Sequence, residues 1–258
     1  MTVSAPEQAP ATALPPELEA ALARMQSGQC PLAELLERAQ AWQDAGQPAA
    51  AARLYADWLG HTDSPFRHVA LFNHGTLLGA LGREAEAESA YLEALALHPA
   101  FPQARLNLGH ALERRGDTEG ALAQWQGVVD DTRPTPEDPR TEQRELCLHA
   151  LNNTARLLEQ LRRFDEAEAR MAQSLSIRPD QFDVLQHYVH IRQKQCEWPL
   201  YQPVGEVTRH QLLVGTSALA MLSVSDDPAL QLMAAQRFVH DKLPRPPARP
   251  LQIGRAHV

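Results

Sequence analysis

Gly75 and Gly109 stand 34 residues apart, and Gly82/Gly116, Ala87/Ala121 and Tyr91/Trp125 share that offset. Four coincidences in one register describe a recurring structural unit. The small residues mark where two helices touch closely, and the aromatic fills the space beside them. Each unit cannot bury its apolar face alone, so it must stack on a neighbour. The chain is therefore expected to be a row of helical hairpins.

This period, with small, small and aromatic residues at set places, resembles the tetratricopeptide repeat. The resemblance implies an all-α superhelix that binds extended peptides. About four hairpins are expected. The first runs from Pro31 to Asp63, with Gly46 in its turn, Ala51 at the close-packing place and Tyr55 at the aromatic place. A short insertion around HTDSP separates it from the second, Arg67 to Ala100, which Pro99 closes. The third ends in the charged stretch DDTRPTPEDPRTEQRE, expected to be an exposed loop. The fourth resumes at about Leu148 and ends at Pro179, with Ala167 and Met171 in the two packing places and Arg162 where glycine is usual. Leu78, Ala87, Tyr91, Leu112, Ala121, Trp125, Leu158 and Ala167 should be buried.

After Pro179 the period is expected to be lost. DQFDVLQHYVHIRQKQ reads as a capping helix, broken by CEWPLYQPVG. Two shorter helices should follow around SVSDDP, the second capped by Asp226 or Asp227 with Pro228 in its first turn. The organisation expected is a disordered tail over 1–16, repeats over 17–179, a helical cap and linker over 180–243 and an extended tail over 244–258. The last six residues, Ile253–Val258, read as the translation of a sequencing-library adapter, in which case the gene continues; a natural short tail is the alternative.

Composition narrows the function. The formal net charge of -8 argues against binding nucleic acid through phosphate contacts. No apolar run approaches the roughly 18 residues that span a bilayer, and MTVSAPEQAPATALPPELEA has no signal-peptide pattern. Cys30, Cys147 and Cys196 form no CxxC pair, so reduced thiols in a cytoplasmic protein are expected, Cys147 and Cys196 as ordinary buried ones. His187, His190 and Cys196 lack the further ligands of a zinc site. Walker loop, nucleophile elbow and dinucleotide fingerprint are all absent. The expected tally is no catalytic residue, no metal and no cofactor.

The candidate site is polar. Asn73, Asn107 and Asn153 each fall two residues before the helix-contact position held by Gly75, Gly109 and Ala155. First helices line the inner groove of such a superhelix, so the amides should form a ladder there, broken by Glu37 in the first repeat. An Asn amide both donates and accepts, which matches a peptide backbone unit. His110, Glu113 and Arg114 in the third repeat, and Arg156, Glu159 and Gln160 in the fourth, are expected to face the same groove.

HIRQKQCEWPLY, followed after a spacer by LAMLSVSDDPALQLMAAQRFV, is similar to the linker of SPINDLY-type bacterial protein O-linked N-acetylglucosamine transferases. The resemblance covers roughly residues 66 to 252, and PLQIG stands where that family's first Rossmann-like strand would begin. It implies that the parent enzyme transfers a sugar from a UDP or GDP donor to Ser or Thr of an acceptor protein held in the concave groove. The glycosyltransferase domain that binds the nucleotide sugar is absent from this sequence, so this chain is expected to be the inactive acceptor-recognition fragment. The family grips its acceptor's backbone through Asn at this place, and Asn73, Asn107 and Asn153 match it. A free-standing repeat adaptor is the alternative.

Overall fold

The computed structural model describes residues 15–133 and 141–242. Among them are thirteen α-helices and no strand; Val204 and Val207 make an isolated bridge. The expected N-terminal tail up to residue 14, the centre of the charged insertion (134–140) and the Pro- and Arg-rich end (243–258) lie outside the described residues. No described helix is long and apolar enough to cross a membrane.

The chain divides into two compact units, Met1–Arg133 and Pro134–Val258. The first holds α1 (Pro16–Gln26) and three hairpins. These are α2 (Leu32–Asp44) with α3 (Pro48–His61), α4 (Arg67–Ala80) with α5 (Glu84–Leu97), and α6 (Pro102–Arg115) with α7 (Thr118–Thr132). The second holds α8 (Thr141–Gln160) with α9 (Phe164–Ile177), then α10 (Phe182–Lys194), α11 (Arg209–Gly215), α12 (Ala218–Val224) and α13 (Pro228–Lys242).

The helix starts and stops follow local chemistry. Proline opens α1, α3 and α6, where its missing N–H is no loss. Asp117 caps α7 by accepting from Gly120 N–H at 2.9 Å. The inter-helix turns share one motif: a residue at positive φ, followed by an N–H that reaches back five residues. Gly46, Gly82 and Gly116 supply φ of 73, 74 and 88°. The bonds are Gln47 to Trp42, Arg83 to Leu78 and Asp117 to Leu112, each from N–H to carbonyl oxygen at 2.8–2.9 Å.

Arg162 holds the same turn after α8 at φ 60°, with Arg163 N–H on the Leu158 oxygen at 2.9 Å. Cys196 then repeats it after α10 at φ 57°, with Glu197 N–H on the Arg192 oxygen at 2.9 Å. Cys196 lies 34 residues after Arg162. The period therefore does not end at Pro179, as the sequence reading expected. It runs through one more first helix, hidden because neither glycine nor asparagine marks it.

All eight residues expected in the core are buried. The close-packing logic is visible in distances. A Cβ on Gly75 would lie 2.8 Å from the Tyr91 ring, and one on Gly109 would lie 2.3 Å from Trp125 Nε1. The indole is fixed there by donating to the Leu106 oxygen at 3.2 Å. In the fourth hairpin both partners change together, to Ala155 and Met171, and both are buried.

Two further expectations are corrected. The charged insertion is helical at both of its described ends, because α7 continues to Thr132 and α8 begins at Thr141, seven residues before Leu148. After Thr208 there are three helices, not two, since Ser217 starts a new helix by accepting from Ala220 N–H at 3.2 Å. Asp227 does cap α13, its Oδ1 accepting from Ala229 N–H at 2.8 Å.

Candidate functional site

Asn73 on α4, Asn107 on α6 and Asn153 on α8 are all half-buried. They share a register position because the glycine or alanine two residues later must face the second helix of its own hairpin. Asn73 and Asn107 belong to the first unit and Asn153 to the second.

In the first unit, Asn107 Nδ2 sits 3.4 Å from Thr76 Oγ1 and 3.5 Å from Tyr91 Oη, and Tyr91 Oη is 3.5 Å from Thr76 Oγ1. These are long, weak bonds. The amide therefore lines a cavity of about 350 Å³ between α4, α5 and α6 rather than being locked into its wall. Gly79 and Ala80 keep that cavity open, and its rim carries Glu84, His110 and Arg114. Arg114 donates to Glu84 Oε2 at 2.7 Å, and the His110 ring stands edge-on to Trp125 with centroids 5.3 Å apart. The Asn73 side chain makes no hydrogen bond with another described residue. Its neighbour His74 stacks on Tyr55, and burial pushes the imidazole below its ordinary value, with Arg83 adding to the shift and Glu86 opposing it. Burial also raises the Tyr55 phenol to about 12.

In the second unit a smaller cavity of about 220 Å³ occupies the equivalent place between α8, α9 and α10. Ala155, Met171 and Val184 line it, with Arg156, Glu159 and His187 at its edge. Beside Asn153, Asn152 is locked: it donates to Gln181 Oε1 at 2.9 Å and accepts from Ser174 Oγ at 2.6 Å. Exposed Arg156 lies within the helix that carries both asparagines.

His187 lies 34 residues after Asn153 and takes the same register position on α10. Its Nδ1 is 2.9 Å from Glu159 Oε2, and Lys194 Nζ is 3.9 Å from Glu159 Oε1. Counting 34 from Asn153 finds it, although as a histidine beside His190 and Cys196 it invites comparison with a zinc ligand first. No group of three or more His, Cys, Asp or Glu residues suited to a metal occurs among the described residues. The thiols differ from expectation in one case. Cys147 is buried, but Cys196 is exposed, because the left-handed residue after α10 turns its side chain to solvent. Burial raises the Cys30 thiol.

Residues 72–139 match the family model described as tetratricopeptide repeat. The fold is that of the tetratricopeptide repeat. Similar solved structures include YrrB, described as a tetratricopeptide-repeat protein with an unusual peptide-binding site. It is 17% identical over 85% of this chain and 99% of its own, with a TM-score of 0.54. A tetratricopeptide-repeat protein from Parabacteroides merdae is 18% identical, over 80% of this chain and 71% of its own, with a TM-score of 0.55. MamA from Desulfovibrio magneticus is 18% identical, over 63% of this chain and 84% of its own, with a TM-score of 0.51. No curated protein sequence matches the chain.

Proposed function

We propose that this tetratricopeptide-repeat chain is a protein-interaction scaffold that holds an extended polypeptide by its backbone. The observation that carries this is the register: Asn73, Asn107, Asn153 and His187 occupy one repeat position, and at it Asn107 in the first unit and His187 in the second line a cavity between successive first helices. Amide side chains at the repeat spacing offer a donor and an acceptor to each peptide unit without selecting its side chain. The peptide-binding site named for YrrB is consistent with such a use of the fold.

The finer reading is that the polypeptide is the acceptor of a SPINDLY-type protein O-glycosyltransferase, recognised in the cytoplasm. It draws on the QCEWP and SDDPALQL stretches, which lie in and beside α10 to α13. The second reading, a free-standing adaptor, is favoured by coverage: the similar repeat proteins named above are matched over 71–99% of their own chains. Under both readings these 258 residues bind no nucleotide sugar, and calorimetry with UDP-N-acetylglucosamine should record no micromolar binding.

The test is selection of dodecamer peptides on the full chain, followed by affinity measurement on a triple variant, Asn73→Ala, Asn107→Ala and Asn153→Ala. Each amide contact contributes about 0.5–1.5 kcal/mol. Their joint loss should weaken capture roughly 10- to 1000-fold. Thermal stability should fall much less, because the hydrogen bonds of Asn107 to other described side chains are long ones. A triple variant that loses stability yet keeps its affinity would sink the proposal.

A further inference from the structure

We infer that the cavity between α8, α9 and α10 is a side-chain pocket that takes one uncharged aliphatic residue, of leucine or methionine size, from the bound polypeptide. The inference rests on the peptide-binding reading and adds specificity to it.

The fourth and fifth repeats change the lining of this cavity. In the first unit the equivalent cavity is floored by Tyr91, whose hydroxyl meets Thr76 and Asn107, so a polar group is met at its base. In the second unit the aromatic position is Met171, and the place of Thr76 is taken by Arg156, whose exposed side chain stands at the edge. The apolar lining becomes Met171, Ala155 and Val184, and the one amide that reaches the cavity, Asn152, has its oxygen and nitrogen engaged by Ser174 and Gln181. A thioether and two short aliphatic groups form a soft lining that adapts to a branched or unbranched hydrocarbon.

Size restricts the ligand. At about 220 Å³ the cavity falls below the roughly 300–1,000 Å³ usual for a small-molecule site, yet it exceeds what a water or two would need. One aliphatic side chain is the occupant of matching scale.

Charge restricts it further. The edge carries Arg156 and Glu159, with Lys194 and His187 against Glu159 and with Asp183 beside Val184. Arg156 and Lys194 balance Glu159 and Asp183, so no net charge favours a charged residue inside. Burying one against Met171 would cost several kcal/mol without a partner at the base. The edge groups instead suit the peptide's N–H and C=O on either side of the buried side chain.

The walls are also held before any ligand arrives. Asn152 ties α8 to Ser174 on α9 and to Gln181 at the start of α10. Glu159 ties α8 to α10 through His187 at 2.9 Å. A cavity with such fixed walls avoids the ordering cost that weakens a pocket formed only on binding.

The experiment uses the full chain and the same dodecamer selection. Selected sequences should share one Leu, Met or Ile at a fixed place, and its replacement by Ala in the peptide should weaken binding about 10-fold or more. Val184→Asp in the protein should weaken the parent peptide similarly but leave the Ala-substituted peptide nearly unchanged, because the two changes remove one contact. The Met171 methyl resonance should shift with the parent peptide and not with the Ala peptide. Peptides that bind without any shared aliphatic residue, or additive effects of the two substitutions, overturn the pocket alone. Failure to select any peptide overturns the peptide-binding reading and the pocket with it. The peptide substitution keeps the test decisive even if Val184→Asp unfolds the chain.

Discussion

At the scale of single residues, the repeat is specified by pairs that change together. Gly109 and Trp125 are such a pair, since a methyl at 109 would sit 2.3 Å from the indole nitrogen. Gly109→Ala should cost about 1–3 kcal/mol in overpacking, offset by about 1 kcal/mol of better helix propensity. The natural pair Ala155 and Met171 shows the alternative solution, so Gly109→Ala should be tolerated better once Trp125→Met is also present. Denaturant unfolding of the four proteins of that cycle should give a favourable coupling of about 1 kcal/mol or more. Simple additivity would mean that the indole moves aside at no cost. Arg162 tests the same logic in the turn. Its φ of 60° is strained for a side chain of this type. Arg162→Gly should raise stability by about 0.5–1 kcal/mol, the relief being partly offset by the extra freedom of glycine in the unfolded chain. A melting temperature that falls would show that the arginine side chain makes a contact worth more than the strain. These pairs also show what was legible. Small residues and aromatics announce the hairpins, because only they tolerate or fill a close helix contact. Arg162 and Cys196 announce nothing, since a turn can force a left-handed residue of almost any type.

At the scale of helices, α10 behaves as a repeat helix although its sequence does not advertise one. Ile191 is fully buried on it, and Arg192 is held by Glu168 at 2.5 Å and by the Pro199 oxygen at 3.2 Å. The arginine takes the register position that Leu78, Leu112 and Leu158 fill in earlier repeats. An ion pair in place of leucine breaks the apolar pattern on which sequence reading depends, while leaving the backbone geometry intact. The helix on the far side of the break is different. Leu219 and Leu222 on α12 are 79% and 62% exposed. Ile191→Ala should therefore cost about 2–5 kcal/mol, whereas Leu219→Ala should stay within about 0.5 kcal/mol. Chemical denaturation of both variants checks the contrast. Equal costs would show that α12 is packed in solution. The candidate site was legible to the same degree as the helices that carry it. The three asparagines follow from the period, but the fourth residue at their position, His187, and the locked role of Asn152 needed the turn after α10 and the hydrogen bonds across α8, α9 and α10.

At the scale of the whole molecule, acidification should act in two steps with different origins. His74 and His190 are both held below their ordinary value of 6.5, chiefly by burial, with Arg83 and Lys194 adding to it. The unfolded chain then binds more protons than the folded one as the pH falls below about 6.5, so stability declines in that window and is fully retained above it. Glu34, Glu86 and Glu166 are held below 4.5, mainly by hydrogen bonds from Arg24, Arg83 and Arg163. The sign is the same, but the window is lower: their contribution is present above about 4.5 and is lost as the carboxylates protonate beneath it. These three are on the surface, where solvent screens them, so the second step should be the salt-sensitive one. The melting temperature measured from pH 8 to pH 3 should therefore hold to about 6.5, decline, and decline further below about 4.5. In His74→Gln the first decline should be shallower, since Gln at this place carries no titrating proton, and the second should be unchanged. A first decline that survives in both His74→Gln and His190→Gln would assign the loss to other groups. If added salt abolished the first step rather than the second, surface ion pairs and not these two imidazoles would set the acid limit of the fold.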